Sequence, residues 1–212
     1  MVIAWYGQSC FKITSGELTL VLDPFDKEIG LRPPHLACDI VCVSHKQHKD
    51  HNNVGALSGE PFVADGPGEY EIKGVSIRGI ESFHDEKEGS ERGLNTIYII
   101  EMEDIVLCNM GDFGQKELSE EQIKAINEVD ILFIPVGGKY TIGGTRASNI
   151  VNQIEPRIAI PMHYKIPGLK ADIEPVDRFL KEMGEGKLQA VEKLTIKKKN
   201  LPEQTEIVVM KI

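Results

Sequence analysis

Residues 44–51 of the chain read Ser44-His45-Lys46-Gln47-His48-Lys49-Asp50-His51. Three histidines and one aspartate therefore follow directly after the apolar run at 40–43, which has the composition of a buried strand. A strand that ends in such a cluster directs several potential ligands towards one point. Because the chain has six histidines in all, half of them lie in this one segment, and the segment predicts a metal site.

Three further potential ligands, His84, Asp112 and His163, each follow an apolar run that predicts a strand. Hydrolytic metal sites take imidazole and carboxylate ligands from several strand ends, since no single strand or helix can surround an ion. Asp112 also lies close to glycines, whose small size lets a carboxylate approach an ion. Any one of these residues alone would more often be structural, but the combination predicts metal-dependent hydrolysis.

Length and composition favour one globular domain over residues 1–212. The apolar fraction is 41% and the charged fraction 27%, and no linker-like stretch divides the chain. A net charge of −9 argues against a general nucleic-acid binder, which needs a basic face. We expect a cytoplasmic protein without a membrane partner, because no signal peptide is recognisable and no apolar run approaches the ~20 residues of a membrane span. The four cysteines are predicted to be buried free thiols.

Strand patterns dominate the first two thirds of the chain, and helices enter afterwards. Ser119 and Gln122 have the spacing of a capping box, and two further helices are predicted at 145–154 and 173–183. A closing strand is predicted at 207–212. Strand-rich sequence followed by helices predicts an α/β (α+β) fold in which two sheets pack face to face with helices outside.

These motifs resemble the metallo-β-lactamase superfamily, and especially its small cytoplasmic zinc-dependent hydrolases of the ascorbate-6-phosphate lactonase type. The resemblance runs over essentially the whole chain. Besides the histidine cluster and Asp23, it includes the segments 7–11, 66–71, 89–95, 111–112, 135–138 and 161–164. The resemblance implies a four-layer αββα sandwich with a metal site at one edge of the two sheets.

The same resemblance implies two bound metal ions, zinc in the first place, with manganese or iron as alternatives. The implied ligands are His48 and His84 for a first ion, Asp50, His51 and His163 for a second ion, and Asp112 between the two. Asp50 would also be catalytic, because the family uses this aspartate to orient the nucleophilic water. Asp23 would steady the cluster through hydrogen bonds.

One position departs from the family motif, which reads His-x-His-x-Asp-His. Counting back from Asp50 places the first histidine at Lys46, whereas the nearest histidine, His45, stands one position earlier. Either the loop carries one extra residue and bulges so that His45 still reaches the first ion, or the first site has lost a ligand. The pair Ser44-His45, which matches the family, favours the extra residue. The other alternative gives a one-metal enzyme or a non-catalytic protein.

We therefore predict a hydrolase in which a metal-bound hydroxide attacks an ester, lactone or phosphodiester of a small-molecule metabolite. A non-catalytic metal-binding or ligand-binding protein and a nuclease are the alternatives, and the acidic charge counts against a nuclease. Arg92, in a segment rich in charge and glycine, is a candidate contact for an anionic substrate, although a surface role is also open. Tyr140 is a candidate for the rim of the pocket. The substrate and the oligomeric state, which could be a homo-oligomer, are not fixed by the sequence.

Overall fold

Residues 1–47 and 51–212 are described by the computed structural model, and their strands assemble into two sheets. The strands in chain order are β1 Val2–Gly7, β2 Cys10–Ser15, β3 Leu18–Leu22, β4 Ile40–Cys42, β5 Phe62–Ala64, β6 Gly68–Ile72, β7 Val75–Phe83, β8 Leu94–Met102, β9 Ile105–Asn109, β10 Ile131–Pro135, β11 Ile158–Met162, β12 Lys193–Thr195 and β13 Glu206–Ile207. The α-helices are α1 Glu120–Ala125, α2 Gly144–Ile154 and α3 Asp177–Glu182.

Both sheets are mixed. The first has the order β12-β1-β2-β3-β4-β5, and the second has the order β13-β11-β10-β9-β8-β7-β6. In the second sheet β9, β10 and β11 are parallel, and β7 runs in the same direction because two antiparallel pairings separate it from β9. The carboxyl ends of β7, β9 and β11 therefore meet at one edge of the sheet. This edge is where the sequence places His84, Asp112 and His163.

The main core lies between the two sheets, where alternating apolar side chains of each sheet face the other. Phe11 of the first sheet packs against Phe133 of the second, with ring centroids 4.5 Å apart. Outside the second sheet, α2 turns Ala147, Ile150 and Val151 inward, as its periodicity predicts. The expected arrangement of two face-to-face sheets with helices is confirmed.

A smaller apolar cluster covers the outer face of the first sheet. Val21 and Val41 contribute to it, together with Phe25 from the segment that follows β3. Two 3₁₀ helices, Lys27–Ile29 and Val54–Ala56, accompany these residues. Within the described ranges, short turns of this kind take the place of long helices in the outer layer of the first sheet.

Two predicted elements are shorter than expected. The helix predicted at 173–183 is confined to α3, because Pro175 disfavours helical backbone before it and Glu174 instead bonds to Gly137 and Lys165. The strand predicted at 207–212 pairs only over β13 and at an isolated bridge at Met210. The capping box of α1 is present as predicted. None of the helices in the described ranges has the length and hydrophobicity that a bilayer crossing requires.

Candidate metal centre

The second sheet presents its potential ligands where its strands end. His84 follows β7 directly and His163 follows β11 directly, while Asp112 lies three residues beyond β9. Hydrogen bonds of the ladder fix each strand in register up to its last paired residue, so the position of the next side chain is closely defined. All three side chains are buried at the shared edge of the sheet.

The first sheet presents its potential ligands from the loop after β4. Ser44, which lies two residues beyond β4, is held by two hydrogen bonds of its backbone groups. Its amide donates to Asp23 Oδ1 at 2.7 Å, and its carbonyl accepts from Thr96 N at 2.7 Å. This anchoring brings the next residue, His45, into the interior, where its side chain is buried. His51 is also buried, at the far end of the same loop.

Four imidazoles converge on one carboxylate, that of Asp112, and all five residues are at most 3% exposed. The separations between Nε2 and a carboxylate oxygen of Asp112 are 2.9 Å for His51, 3.3 Å for His84, 3.4 Å for His163 and 3.9 Å for His45. Two sets of donor atoms result, each with its atoms within 4.8 Å of one another. We call His45, His84 and Asp112 the first donor group, and His51, Asp112 and His163 the second donor group.

The donor set fits metal ions. Two ligands held about 2.1 Å from one ion at tetrahedral angles lie about 3.4 Å apart, and the observed separations of 2.9 to 3.9 Å between the imidazole nitrogens and Asp112 bracket this value. Imidazole and carboxylate donors suit zinc, iron and manganese. Burial alone would raise the pKa of Asp112, but the neighbouring imidazoles of His163 and His51 hold that pKa well below its usual range. A lowered pKa favours the ionised form of the shared carboxylate.

Asp112 is held in place by groups that do not themselves belong to either donor group. Its amide donates to Asn95 Oδ1 at 2.9 Å, and the Ser9 hydroxyl donates to its Oδ1 at 3.3 Å. Gly111 precedes it with a φ of +54°, and a Cβ there would lie 2.4 Å from the Cβ of Ser44. Only glycine therefore allows the strand end and the Ser44 loop to approach this closely.

Asp23 lies beside the cluster and joins the two sheets. Its carboxylate accepts from Ser44 N at 2.7 Å and from Asn109 Nδ2 at 3.0 Å. Burial raises the pKa of Asp23 to about 6, against the opposing influence of His51 and of the bonds from Ser44 and Asn109. Asp23 thus links the histidine loop of the first sheet to the end of β9, and its role in steadying a metal cluster stays a prediction.

At the shifted motif position, the structure turns the histidine inward and the lysine outward. His45 belongs to the first donor group, whereas the ammonium of Lys46 is exposed and pairs with Asp65 at 2.7 Å. The hypothesis of one extra residue in the loop requires such a position for His45, and the hypothesis itself stays a prediction. The predicted ligands His48 and Asp50 lie outside the described residues.

The segment at 85–93 borders a cavity of about 260 Å³ that reaches His84. The Asp85 carboxylate organises this segment by accepting four backbone N–H bonds, from residues 87, 89, 91 and 92 at 2.7–3.0 Å. Burial alone would raise the pKa of Asp85, but these bonds lower it. Arg92 lies 5.1 Å from the ring centroid of Tyr140, and both residues line the cavity. The structure thus brings together the two residues predicted to contact substrate.

Several residues of the site were missed by sequence reasoning. Ser9, Asn95 and Asn109 are buried and bond to Asp112, Gly111 or Asp23. Asn95 and Asn109 are single amides at the ends of largely apolar runs. Asn95 lies at the start of β8 and Asn109 at the end of β9, and the antiparallel pairing of these strands brings both amides to the edge that carries the candidate ligands. A buried amide must find hydrogen-bond partners, which marks such positions as parts of a polar cluster.

Comparison with known proteins agrees with this geometry. A family model described as a beta-lactamase superfamily domain matches residues 2–163. A UPF0173 metal-dependent hydrolase from Methanopyrus kandleri is 26% identical, with 87% of this chain and 93% of the relative covered. A similarly named protein from Pyrococcus horikoshii is also 26% identical, over 86% and 93% of the two chains.

A solved structure provides a stronger likeness. It is a Thermotoga maritima protein described as a Zn-dependent hydrolase of the metallo-beta-lactamase superfamily. This protein is 36% identical to the chain, with a TM-score of 0.81 and with 99% and 97% of the two chains covered.

Proposed function

This chain belongs to the metallo-β-lactamase superfamily as a metal-dependent hydrolase, and we propose that it is a two-metal enzyme that cleaves an ester, lactone or phosphodiester bond in a small anionic metabolite. The observation that carries the proposal is the placement of two donor groups around one shared, buried carboxylate, that of Asp112. One-metal and non-catalytic alternatives require a missing ligand in the first group. The burial of His45 beside Asp112 counts against both.

We assign the first donor group to one ion and the second donor group to the other, with Asp112 between them. His48 and Asp50 remain proposed ligands of the first and second ion, and Asp50 remains the residue proposed to orient the nucleophilic water. Zinc is the first choice of metal, because the Thermotoga maritima relative is described as Zn-dependent. Manganese and iron also suit this set of imidazole and carboxylate donors.

When bound, a pair of ions supplies hydroxide near neutral pH and stabilises negative charge that develops on the substrate. The protein must keep its histidines neutral and Asp112 ionised for this chemistry. A bound cation favours both states, because it attracts the carboxylate and repels a proton on the imidazole. Asn95 and Ser9 orient the carboxylate, so it is already positioned before ions or substrate arrive.

The cavity beside His84 suggests an anionic substrate. Its cationic side chains include Lys87, Lys139 and Arg146, but each of these pairs with a carboxylate, from Glu91, Asp172 and Glu86 respectively. Arg92 instead donates to the carbonyl of Lys139 and lies over Tyr140. A guanidinium that is braced in this way can receive a phosphate or carboxylate of the substrate while the scissile bond lies near His84.

A metal and substrate assay tests the proposal. We expect about two ions per chain in protein purified without chelator. We also expect this protein to hydrolyse p-nitrophenyl esters, simple lactones or bis(p-nitrophenyl) phosphate. This activity should disappear when the metal is removed and return when Zn²⁺ or Mn²⁺ is added. Protein without bound ions would overturn the metal centre. Protein that holds two ions but cleaves none of these three bond classes would overturn the reaction.

The anionic preference needs a separate measurement. Arg92→Ala should raise KM for bis(p-nitrophenyl) phosphate and leave KM for a neutral p-nitrophenyl ester unchanged. Arg157→Ala is the matched control, because Arg157 precedes β11 and so lies at the opposite edge of the sheet from His163. Equal effects of Arg92→Ala on both substrates would overturn the anion contact.

A further inference from the structure

Gln8 is fixed against His163 by the backbone. Its carbonyl accepts from His163 N at 3.1 Å and from the indole Nε1 of Trp5 at 2.9 Å. Its own φ is +50°, a left-handed conformation that residues other than glycine adopt only when their surroundings require it. The turn between β1 and β2 therefore presents the Gln8 side chain to the second donor group rather than to solvent.

The side-chain amide of Gln8 lies in the interior of the site, with the residue 2% exposed. Its Nε2 is 3.4 Å from Nε2 of His163, the nitrogen that faces Asp112. Its other polar atom, Oε1, is buried and has no hydrogen-bond partner within residues 1–47 and 51–212. A buried amide oxygen without a partner is rare, and it indicates that the amide is turned the other way, with Oε1 rather than Nε2 towards His163.

We propose that Gln8 supplies a neutral oxygen ligand to the ion of the second donor group, an inference that rests on the two-metal centre proposed above. Ligands of one ion lie about 3.4 Å apart at tetrahedral angles, and the amide end of Gln8 stands at that separation from His163 Nε2. Rotation about the last side-chain bond exchanges the amide oxygen and nitrogen, which places Oε1 at the same point. Asp112 Oδ2 lies 3.4 Å from the same nitrogen.

An amide oxygen changes the selectivity of the second site. Carbonyl oxygens are hard donors that suit Mn²⁺, whereas imidazole suits Zn²⁺ as well as several other ions. Because the amide is neutral, it adds a ligand without adding negative charge beside Asp112. Gln8 should therefore contribute more to Mn²⁺ affinity than to Zn²⁺ affinity at the second site.

The test is a calorimetric titration of metal-free protein with Mn²⁺ and, separately, with Zn²⁺. We expect Gln8→Leu to weaken the second Mn²⁺ by about 10- to 100-fold and to weaken Zn²⁺ less. Gln8→Glu, which keeps an oxygen at the same reach, should retain the second Mn²⁺ site. Gln153→Leu, at an exposed position on α2, is the matched control and should leave both titrations unchanged.

Thermal unfolding separates ligation from packing. If Gln8 only fills space, Gln8→Leu should have a higher Tm than Gln8→Glu in the absence of metal. Mn²⁺ would then raise the Tm of Gln8→Leu as much as that of the unsubstituted protein. Either that result or an unchanged Mn²⁺ affinity in Gln8→Leu overturns the inference. Mn²⁺ should instead raise the Tm of Gln8→Glu more than that of Gln8→Leu.

His163→Ala distinguishes failure of this inference from failure of the proposed centre. Loss of the second ion in His163→Ala but not in Gln8→Leu would remove Gln8 from the ligands and leave the two-metal proposal intact. Two ions bound to His163→Ala with undiminished affinity would overturn the second donor group, and the assignment of Gln8 with it.

Discussion

The two sheets contribute to the candidate centre in different ways. The second sheet delivers His84 and His163 directly from the ends of β7 and β11, where ladder hydrogen bonds determine position, and Asp112 from three residues beyond β9. The first sheet delivers His45 and His51 from a loop, where position depends on individual hydrogen bonds such as that from Ser44 N to Asp23. An extra residue in the loop can therefore be accommodated, whereas an extra residue before a strand-end ligand would turn it to the other face.

The difference also predicts whether substitutions among the strand-end ligands or among the loop ligands should be better tolerated by the fold. Strand-end ligands are embedded in the main core, so their backbone survives the loss of a side chain. Loop ligands depend on a few anchors, and the loss of one anchor should disturb the ions before it disturbs the fold. Substitutions on each side can test this contrast.

The largest effect is expected where the two sides meet, at Asp112. Asp112→Asn removes the charge shared by both donor groups, so bound metal should fall from about two ions per chain to less than one. Because the ions contribute several kcal/mol of charge stabilisation in the transition state, hydrolysis should fall by about 10³-fold or more. Elemental analysis and the bis(p-nitrophenyl) phosphate assay measure the two losses.

Asp130→Asn is a suitable control for Asp112→Asn. Asp130 is also buried and bonds to Val106 N and Lys198, but it lies before β10, at the opposite edge of the sheet. Asp130→Asn should leave metal content unchanged even if it lowers the free energy of unfolding. If Asp112→Asn still bound two ions, the hypothesis that both ions share the Asp112 carboxylate as a ligand would be wrong.

A smaller effect is expected when one ligand is removed from each side. His45→Ala should lose the ion of the first donor group, and His163→Ala should lose the ion of the second, so each variant should retain about one ion per chain. The double variant should retain neither. The comparison predicts similar losses from the loop and from the strand end, because both imidazoles are buried against the same carboxylate.

Metal content measured after equal dialysis decides this prediction. His35→Ala is the control, because this histidine belongs to neither donor group. If His45→Ala kept two ions while His163→Ala lost one, His45 would not be a ligand. The one-residue shift of His45 in the motif would then mean that the first metal site has lost a histidine ligand.

The same contrast explains what can be predicted from the sequence. Apolar runs locate strands, and residues directly beyond them are constrained, which is why the pattern alone places His84, Asp112 and His163 together. The loop has no periodicity, so its residues cannot show whether His45 or Lys46 faces inward. That choice depends on the bonds of Ser44 to Asp23 and Thr96, which join segments far apart in the chain.

The fold shows the same division. Two sheets and α2 follow from hydrophobic patterning, whereas the length of α3 depends on tertiary bonds made by Glu174. The supporting residues Asn95 and Asn109 were missed because an amide at the end of an apolar run indicates a polar cluster, but its partners are identified only when the neighbouring strands are known. The local hydrophobic pattern therefore predicts the strands and helices, whereas the supporting residues of the candidate centre depend on hydrogen bonds between segments that are distant in sequence.

Asp23→Asn tests the anchor of the loop side. Both partners of Asp23, Ser44 N and Asn109 Nδ2, are donors, so an amide at position 23 must direct its own donor at one of them. Asn109 cannot turn without losing its bond from Gly111 N. We expect a loss of about 1–3 kcal/mol in the free energy of unfolding and weaker metal binding, measured by denaturant unfolding and metal titration.

Asp39→Asn provides the comparison for Asp23→Asn, because Asp39 also accepts a backbone N–H within the first sheet, from Thr19, but lies away from the cluster and is partly exposed. Its effect should be about 0.5 kcal/mol or less, with unchanged metal affinity. If Asp23→Asn matched this control, the loop would have further anchors that make Asp23 dispensable.

The smallest effect is expected on the segment at 85–93, which contributes no residue to either donor group. Asp85→Ala removes the acceptor of four backbone N–H groups at the cavity, so the segment should loosen and Arg92 should lose its fixed position. We expect KM for bis(p-nitrophenyl) phosphate to rise about fivefold, equivalent to about 1 kcal/mol, with metal content unchanged. Glu88→Gln, an exposed change of charge in the same segment, should leave KM unaltered. A loss of metal in Asp85→Ala would instead show that this segment supports His84, and the strand-end side would then depend on a loop as the other side does.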